Sequence, residues 1–130
     1  MKQKGMRIAV ALGMSLLVAL AVRGSDWPQF RGPNRDGVWN ETGILKTFPV
    51  EGLKIRWRVP VGPGWSSPVV VRGRVFLTDA RLAKPQAWER IQCFAEATGK
   101  LLWTQAYEVT YPDWAFNPEN GGGPATTPIV

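Results

Sequence analysis

Cys93-Phe94-Ala95-Glu96-Ala97-Thr98-Gly99-Lys100-Leu101-Leu102-Trp103 joins two β-rich runs through a short turn. Gly99 takes positive φ at little cost, so Ala97 to Lys100 reverses the chain. Ile91 to Ala95 is then expected to pair with Leu101 to Tyr107. Ser67 to Val71 and Arg74 to Thr78 are β-branched and apolar and meet at Arg72-Gly73, a second hairpin signal. Lys54 to Val61 alternates Ile55, Trp57 and Val59 with Lys54, Arg56 and Arg58, the pattern of a half-buried strand with a basic outer face. Helical periodicity is nearly absent, and these runs predict an antiparallel, all-β chain. Ala80 to Trp88 reads as a short excursion between strands. Thr110 to Pro124, broken by Pro112, Pro118 and Gly121-Gly122-Gly123, reads as a long loop.

The chain also repeats itself. Ser66-Ser67-Pro68-Val69-Val70 recurs as Thr126-Thr127-Pro128-Ile129-Val130, with the same residue class at each position. Lys54-Ile55-Arg56-Trp57 recurs as Lys100-Leu101-Leu102-Trp103. The Trp copies are 46 residues apart and the Ser-Pro and Thr-Pro copies 60, the difference of 14 matching the long loop. A unit of four strands per 46 residues has the size of a β-propeller blade. Trp57 and Trp103 fall once per blade, where an aromatic packs between neighbouring blades. Lys54 to Val130 spans 77 residues, fewer than two such units. Ring closure takes about four to eight blades. The expectation is an N-terminal fragment of a propeller: an N-terminal strap at 25–53, then a partial propeller at 54–130. That second part would hold a closing strand, one full four-stranded antiparallel blade and the start of the next. Such a fragment would leave an unpaired strand edge and one face of Trp103 open.

The 93–103 stretch resembles the tryptophan-docking repeat of pyrroloquinoline-quinone-like (PQQ-like) β-propellers, roughly Ala-x-Asp-x-x-Thr-Gly-Lys-x-x-Trp. Thr98, Gly99, Lys100 and Trp103 match, whereas Cys93 stands for the Ala and Ala95 for the Asp. That Asp accepts backbone N–H bonds in the turn, so its loss predicts a turn held less firmly here. Asp26-Trp27-Pro28-Gln29-Phe30-Arg31-Gly32-Pro33-Asn34-Arg35-Asp36-Gly37 is similar to the opening of exported propellers of this type. The resemblance implies a propeller and a blade-docking role for Trp57, Trp103, Thr98, Gly99 and Lys100. Members of the family include a lipoprotein that assists outer-membrane β-barrel assembly, from which this chain departs by lacking a lipid-attachment Cys. Others are quinoprotein dehydrogenases that oxidise alcohols or sugars with PQQ and calcium, using a vicinal Cys pair, acidic calcium ligands and a catalytic Asp. None of these can be placed here.

The basic charge is concentrated at the start of the chain. The chain of 130 residues carries 16 Lys plus Arg, 10 Asp plus Glu and no His, a formal charge of +6. Lys2, Lys4, Arg7 and Arg23 lie in the first 24 residues, which leaves 12 basic against 10 acidic groups, only +2, in the remainder. Nucleic-acid binding by basic steering has little support in that balance. Lys2, Lys4 and Arg7 precede the uncharged run Ile8 to Val22, the n-region and h-region of a signal peptide. Small residues offer two cleavage points, of which the one after Gly24 is favoured, giving a signal peptide at 1–24; an uncleaved membrane anchor is the alternative. The run is short of the ~20 apolar residues of a span. The expected location is periplasmic or extracellular, secreted, with no stable membrane span after cleavage.

Without His, a Ser-His-Asp triad, a Cys-His pair and imidazole metal ligation are excluded from these residues. The single Cys93 excludes an internal disulfide and reads as a buried, inert thiol. No pair of carboxylates stands out for acid–base work, so no catalytic residue and no metal ligand is assigned. Asp113, Asn117, Glu119 and Asn120 crowd the long loop with oxygens but match no calcium-loop spacing. Gly121-Gly122-Gly123 lacks the strand and helix of a phosphate cradle. The pairs Arg56/Arg58 and Arg72/Arg74 read as a solvated or guarded edge. Trp65, Trp88 and Trp114 fall in predicted loops, where they are candidate contacts to a sugar or protein partner. Arg31 and Arg35 are candidates to hold an anion or to pin the strap to the sheet. The reading that follows is a non-enzymatic exported propeller, a binding or assembly scaffold for protein or carbohydrate, with no supported cofactor. The alternatives are the N-terminal part of a PQQ- and calcium-dependent alcohol or sugar dehydrogenase, and carbohydrate binding through loop aromatics.

Overall fold

The computed structural model describes residues 24–130, so the expected signal peptide lies outside the described residues but for Gly24. The chain forms one antiparallel sheet of four strands in the order β1 (Val69–Val71), β2 (Arg74–Ala83), β3 (Gln86–Ala95), β4 (Leu101–Val109). Each strand pairs with the one before it, a meander that local turns alone can specify. Arg72 (φ 49°) and Gly73 (φ 75°) both lie in the left-handed region. A two-residue turn of that kind matches the right-handed twist of its strands. The β3–β4 turn is closed by the backbone of Ala95. Its carbonyl accepts from the N–H groups of Thr98 (3.2 Å) and Gly99 (2.8 Å), and its own N–H donates to the Lys100 carbonyl (2.8 Å). The turn is thus held by main-chain bonds where the family pattern has an Asp side chain.

Two expectations require correction. Ala80 to Trp88 is no excursion: β2 runs on through Ala83 and β3 starts at Gln86, leaving only Lys84-Pro85 as the turn. Lys54 to Val61 forms no strand, because no strand pairs with it among the described residues. Alternation assigns faces, but a strand also needs a ladder partner. The segment is anchored on the sheet at Trp57 and Gly62 instead. A smaller difference lies in the 110–124 loop, where short 3-10 turns form at Asp113–Phe116 and Pro118–Asn120 and bury Ala115.

Cross-strand register sorts the side chains. Val69, Phe76, Cys93 and Trp103 form one row on one face, with Ala80 and Ala87 further along it. Val69, Ala80, Ala87 and Cys93 are fully buried there, and the Phe76 and Trp103 rings meet at 6.0 Å. Asp79, Arg90 and Gln92 lie on the opposite face, as does the buried Phe94. The outer side of β1 is covered by the strap, since Trp27 and Val70 exchange backbone bonds of 2.7 and 2.9 Å. Beyond it, the Val130 N–H donates to the Pro28 carbonyl at 3.0 Å. The far side of β4 has no partner strand among the described residues, and on that strand Trp103 is 40% exposed while Leu101, Leu102 and Tyr107 are also exposed.

Candidate functional site

A cavity of about 640 Å³ opens where the strap meets Trp65 and the 125–129 segment. Gln29, Arg31, Arg35, Trp65, Thr127 and Ile129 line it. Trp65 is held by its indole N–H, which donates to the Gly121 carbonyl at 2.8 Å, and by Gly121 itself, where a Cβ would sit 2.8 Å from the ring. Its backbone N–H donates to the Pro124 carbonyl at 2.8 Å. Even so, the residue is 72% exposed. Arg35 Nε donates to Gln29 Oε1 at 2.9 Å, and Arg31 reaches the Asp36 carbonyl at 3.4 Å. Both bonds stay within the strap.

Trp57 shows what its side chain is for. Its indole N–H donates to the Glu96 carbonyl at 2.7 Å, and a Cβ on Gly99 would stand 2.7 Å from its ring. Gly99 has φ +70° and is buried beneath the indole. Trp57 thus docks flat on the Thr98-Gly99 turn. Thr98 contributes Oγ1, which accepts the Lys100 N–H at 3.3 Å. Trp103, the second copy, packs on Phe76 inside its own sheet and presents its remaining surface to solvent.

The other loop candidates separate from the cavity. Trp88 lies on β3, not in a loop, and receives the Arg81 guanidinium over its ring at 5.2 Å, across the strand pair. Trp114 sits in the first 3-10 turn, 58% exposed, and does not line the cavity. Asp113 pairs with Lys84 at 3.0 Å and Asn117 accepts the Glu119 N–H at 3.1 Å, so these loop oxygens serve local structure. No group of three or more Asp, Glu or Cys is placed to hold a metal ion among the described residues.

Two polar clusters have no counterpart in the sequence reading. Asp79, 1% exposed, takes both Arg90 Nε (2.8 Å) and Nη2 (2.5 Å), the Gln92 amide (2.8 Å) and the Gly62 N–H (2.5 Å). A buried carboxylate is tolerated when its lone pairs are filled in this way. Gly62 is obligatory at this contact, because a Cβ would fall 2.0 Å from the Ala80 carbonyl oxygen. The signal was available: Asp79 and Arg90 are equidistant from the Lys84-Pro85 turn, hence opposite one another once that turn is placed. In the second cluster Glu89 accepts from the hydroxyls of Tyr107 (2.5 Å) and Tyr111 (2.6 Å). The bond to Glu89 raises the Tyr107 hydroxyl above the usual tyrosine range, and burial followed by the same bond raises Tyr111 further. Burial also raises the Cys93 thiol, against a smaller opposing effect of Arg74.

No protein-family model, curated protein or solved structure matches the chain. No helix among the described residues is long and apolar enough to cross a membrane. The four-stranded antiparallel sheet stands on its own geometry.

Proposed function

We propose that this chain is built as PQQ-like propeller repeats and acts, after export, as a non-enzymatic binding or assembly scaffold. The observation that carries the reading is the docking of Trp57 on the Thr98-Gly99 turn. It links one copy of the repeated Trp to the turn of the following unit, as an aromatic set between blades does. Two further contacts support it. Ser67 and Thr127, equivalent positions of the two copies, touch through a 3.0 Å bond from the Ser67 N–H to Thr127 Oγ1. That contact fits neighbouring inner strands around one axis. Trp103, one period after Trp57, lies open on the β4 side, ready for the next such turn.

The described residues do not fit a quinone–calcium centre. Cys93 is the single Cys of the chain, and the Asp79 oxygens are filled by Arg90, Gln92 and the Gly62 N–H. The test is to incubate the purified protein with PQQ, calcium and an artificial electron acceptor across alcohols and sugars. No substrate-dependent dye reduction is expected, and reduction by any of them would refute the scaffold reading.

A further inference from the structure

We propose that the cavity between the strap and Trp65 binds an acidic sugar, with the ring against the Trp65 indole and the carboxylate on Arg31 and Arg35. The proposal names a ligand class beyond the scaffold reading and rests on the cavity's own residues.

Charge comes first. Neither Arg31 nor Arg35 forms an ion pair among the described residues, and no Asp or Glu lines the cavity. Asp36, the nearest acid in sequence, accepts the Val38 N–H at 2.9 Å and forms no ion pair with either arginine. Two arginines thus line one cavity without an ion-pair partner among the described residues. Arg35 is oriented by its Nε bond to Gln29, and neither that bond nor the single Arg31 contact uses up a guanidinium, which carries five N–H donors. A carboxylate is the group that a guanidinium fork binds bidentately.

Their backbones are set in advance. Arg31 (φ 66°) and Arg35 (φ 58°) both occupy the left-handed region, unfavourable for residues with a Cβ. Such positions persist only where surroundings over-determine them, and they concentrate at ligand clamps. Here the Gly32 N–H bonds to the Gln29 carbonyl (3.0 Å), Arg35 to Gly32 (3.1 Å) and Gly37 to Arg31 (2.9 Å). The Trp27 ring closes over Gly32, where a Cβ would stand 2.7 Å away. The strap is therefore a stapled loop that presents two cations at fixed positions.

Trp65 supplies the apolar half. An indole that is mostly exposed yet fixed at its N–H and against Gly121 is a flat platform ordered before any ligand arrives. Gln29, whose amide already bonds Arg35 and Pro33, and Thr127, whose hydroxyl accepts the Ser67 N–H, line the same cavity and keep only part of their hydrogen-bonding capacity for a ligand's hydroxyls. The volume falls in the range of small-molecule sites, about 300 to 1,000 Å³.

The experiment titrates the full chain with α-1,4-linked trigalacturonate, with its methyl ester and with a mononucleotide, read by tryptophan fluorescence and calorimetry. The acid trimer is expected to bind, with the ester at least tenfold weaker because charge-assisted bonds are lost. Arg31→Asn with Arg35→Asn removes both charges while keeping a residue that tolerates the left-handed backbone. It should weaken the acid trimer by tenfold or more and leave the ester unchanged, at an unaltered thermal midpoint. Trp65→Phe keeps a ring without the N–H bond and should weaken both sugars. Equal affinity for acid and ester, full affinity in the double Asn variant, no binding of the acid trimer at millimolar concentration, or tighter binding of the mononucleotide would each overturn the proposal. None of these results bears on the dye-reduction test, so the two readings fail separately.

Discussion

Gly99→Ala is the most direct probe of how the 54–62 segment is fixed to the sheet. The new methyl meets two penalties. Gly99 sits at φ +70°, where a Cβ costs about 1–2 kcal/mol. That Cβ would also stand 2.7 Å from Cδ2 and Cε3 of Trp57, so the indole must lift. Lifting it forfeits the 2.7 Å bond to the Glu96 carbonyl, worth about 0.5–1.5 kcal/mol, together with part of the ring packing. The expected total is about 2–4 kcal/mol. A double-mutant cycle with Trp57→Ala separates the two penalties. Once the ring is absent, Gly99→Ala should cost only the backbone strain, leaving a coupling of about 1–2 kcal/mol by the terms above. Urea unfolding followed by circular dichroism measures each corner of the cycle. Additive costs, with coupling under about 0.5 kcal/mol, would show that Trp57 does not rest on Gly99.

Further outcomes follow from the polar clusters and the thiol. Asp79→Ala leaves the Arg90 guanidinium, Gln92 and the Gly62 N–H without their common acceptor and should cost about 3 kcal/mol in urea unfolding. A cost below that of an average surface substitution would contradict the geometry. Tyr107 and Tyr111 both have hydroxyls raised in the folded state, so the folded protein holds these protons after the unfolded chain has released them. Their contribution is complete below the unfolded value of about 10 and is lost as pH climbs through the raised folded values. Stability should therefore decline above about pH 10, and Tyr111→Phe should flatten the decline. Cys93, fully buried with a raised thiol, should react with a thiol reagent in the native state no faster than the protein opens, and at once in denaturant.

The parts of the fold set by local chemistry could be read from the chain. Gly73 and Gly99 mark their turns because the left-handed backbone closes them, and Cys93, in a β-rich run, is buried as its position in the pattern implies. The long β2–β3 pair was less legible. Asp79, Glu89, Arg90 and Gln92 interrupt the apolar pattern; the buried Asp79 and the half-buried Glu89 find partners in Gly62, Tyr107 and Tyr111, which arrive from elsewhere in the chain. Lys54 to Val61 shows the converse, an alternating pattern without a ladder partner. Of the candidate site, the repeat marked Trp57, and the loop position marked Trp65. Arg35 joined Arg31 at one cavity only through the conformation of the strap. Trp88 falls on a strand and not in a loop because Lys84-Pro85 alone makes the turn, which sets Arg81 directly across from it.

The strap's exchange of bonds between Trp27 and Val70 spans 43 residues, and Val130 to Pro28 spans 102, whereas the β2–β3–β4 meander pairs residues near in sequence. Loop closure of that reach is slow compared with hairpin formation. The meander is therefore expected to form first and the strap, with its two arginines, to be laid on afterwards. Amide hydrogens of β3 should accordingly outlast those of residues 26–37 in exchange, and whatever occupies the cavity will protect the strap first.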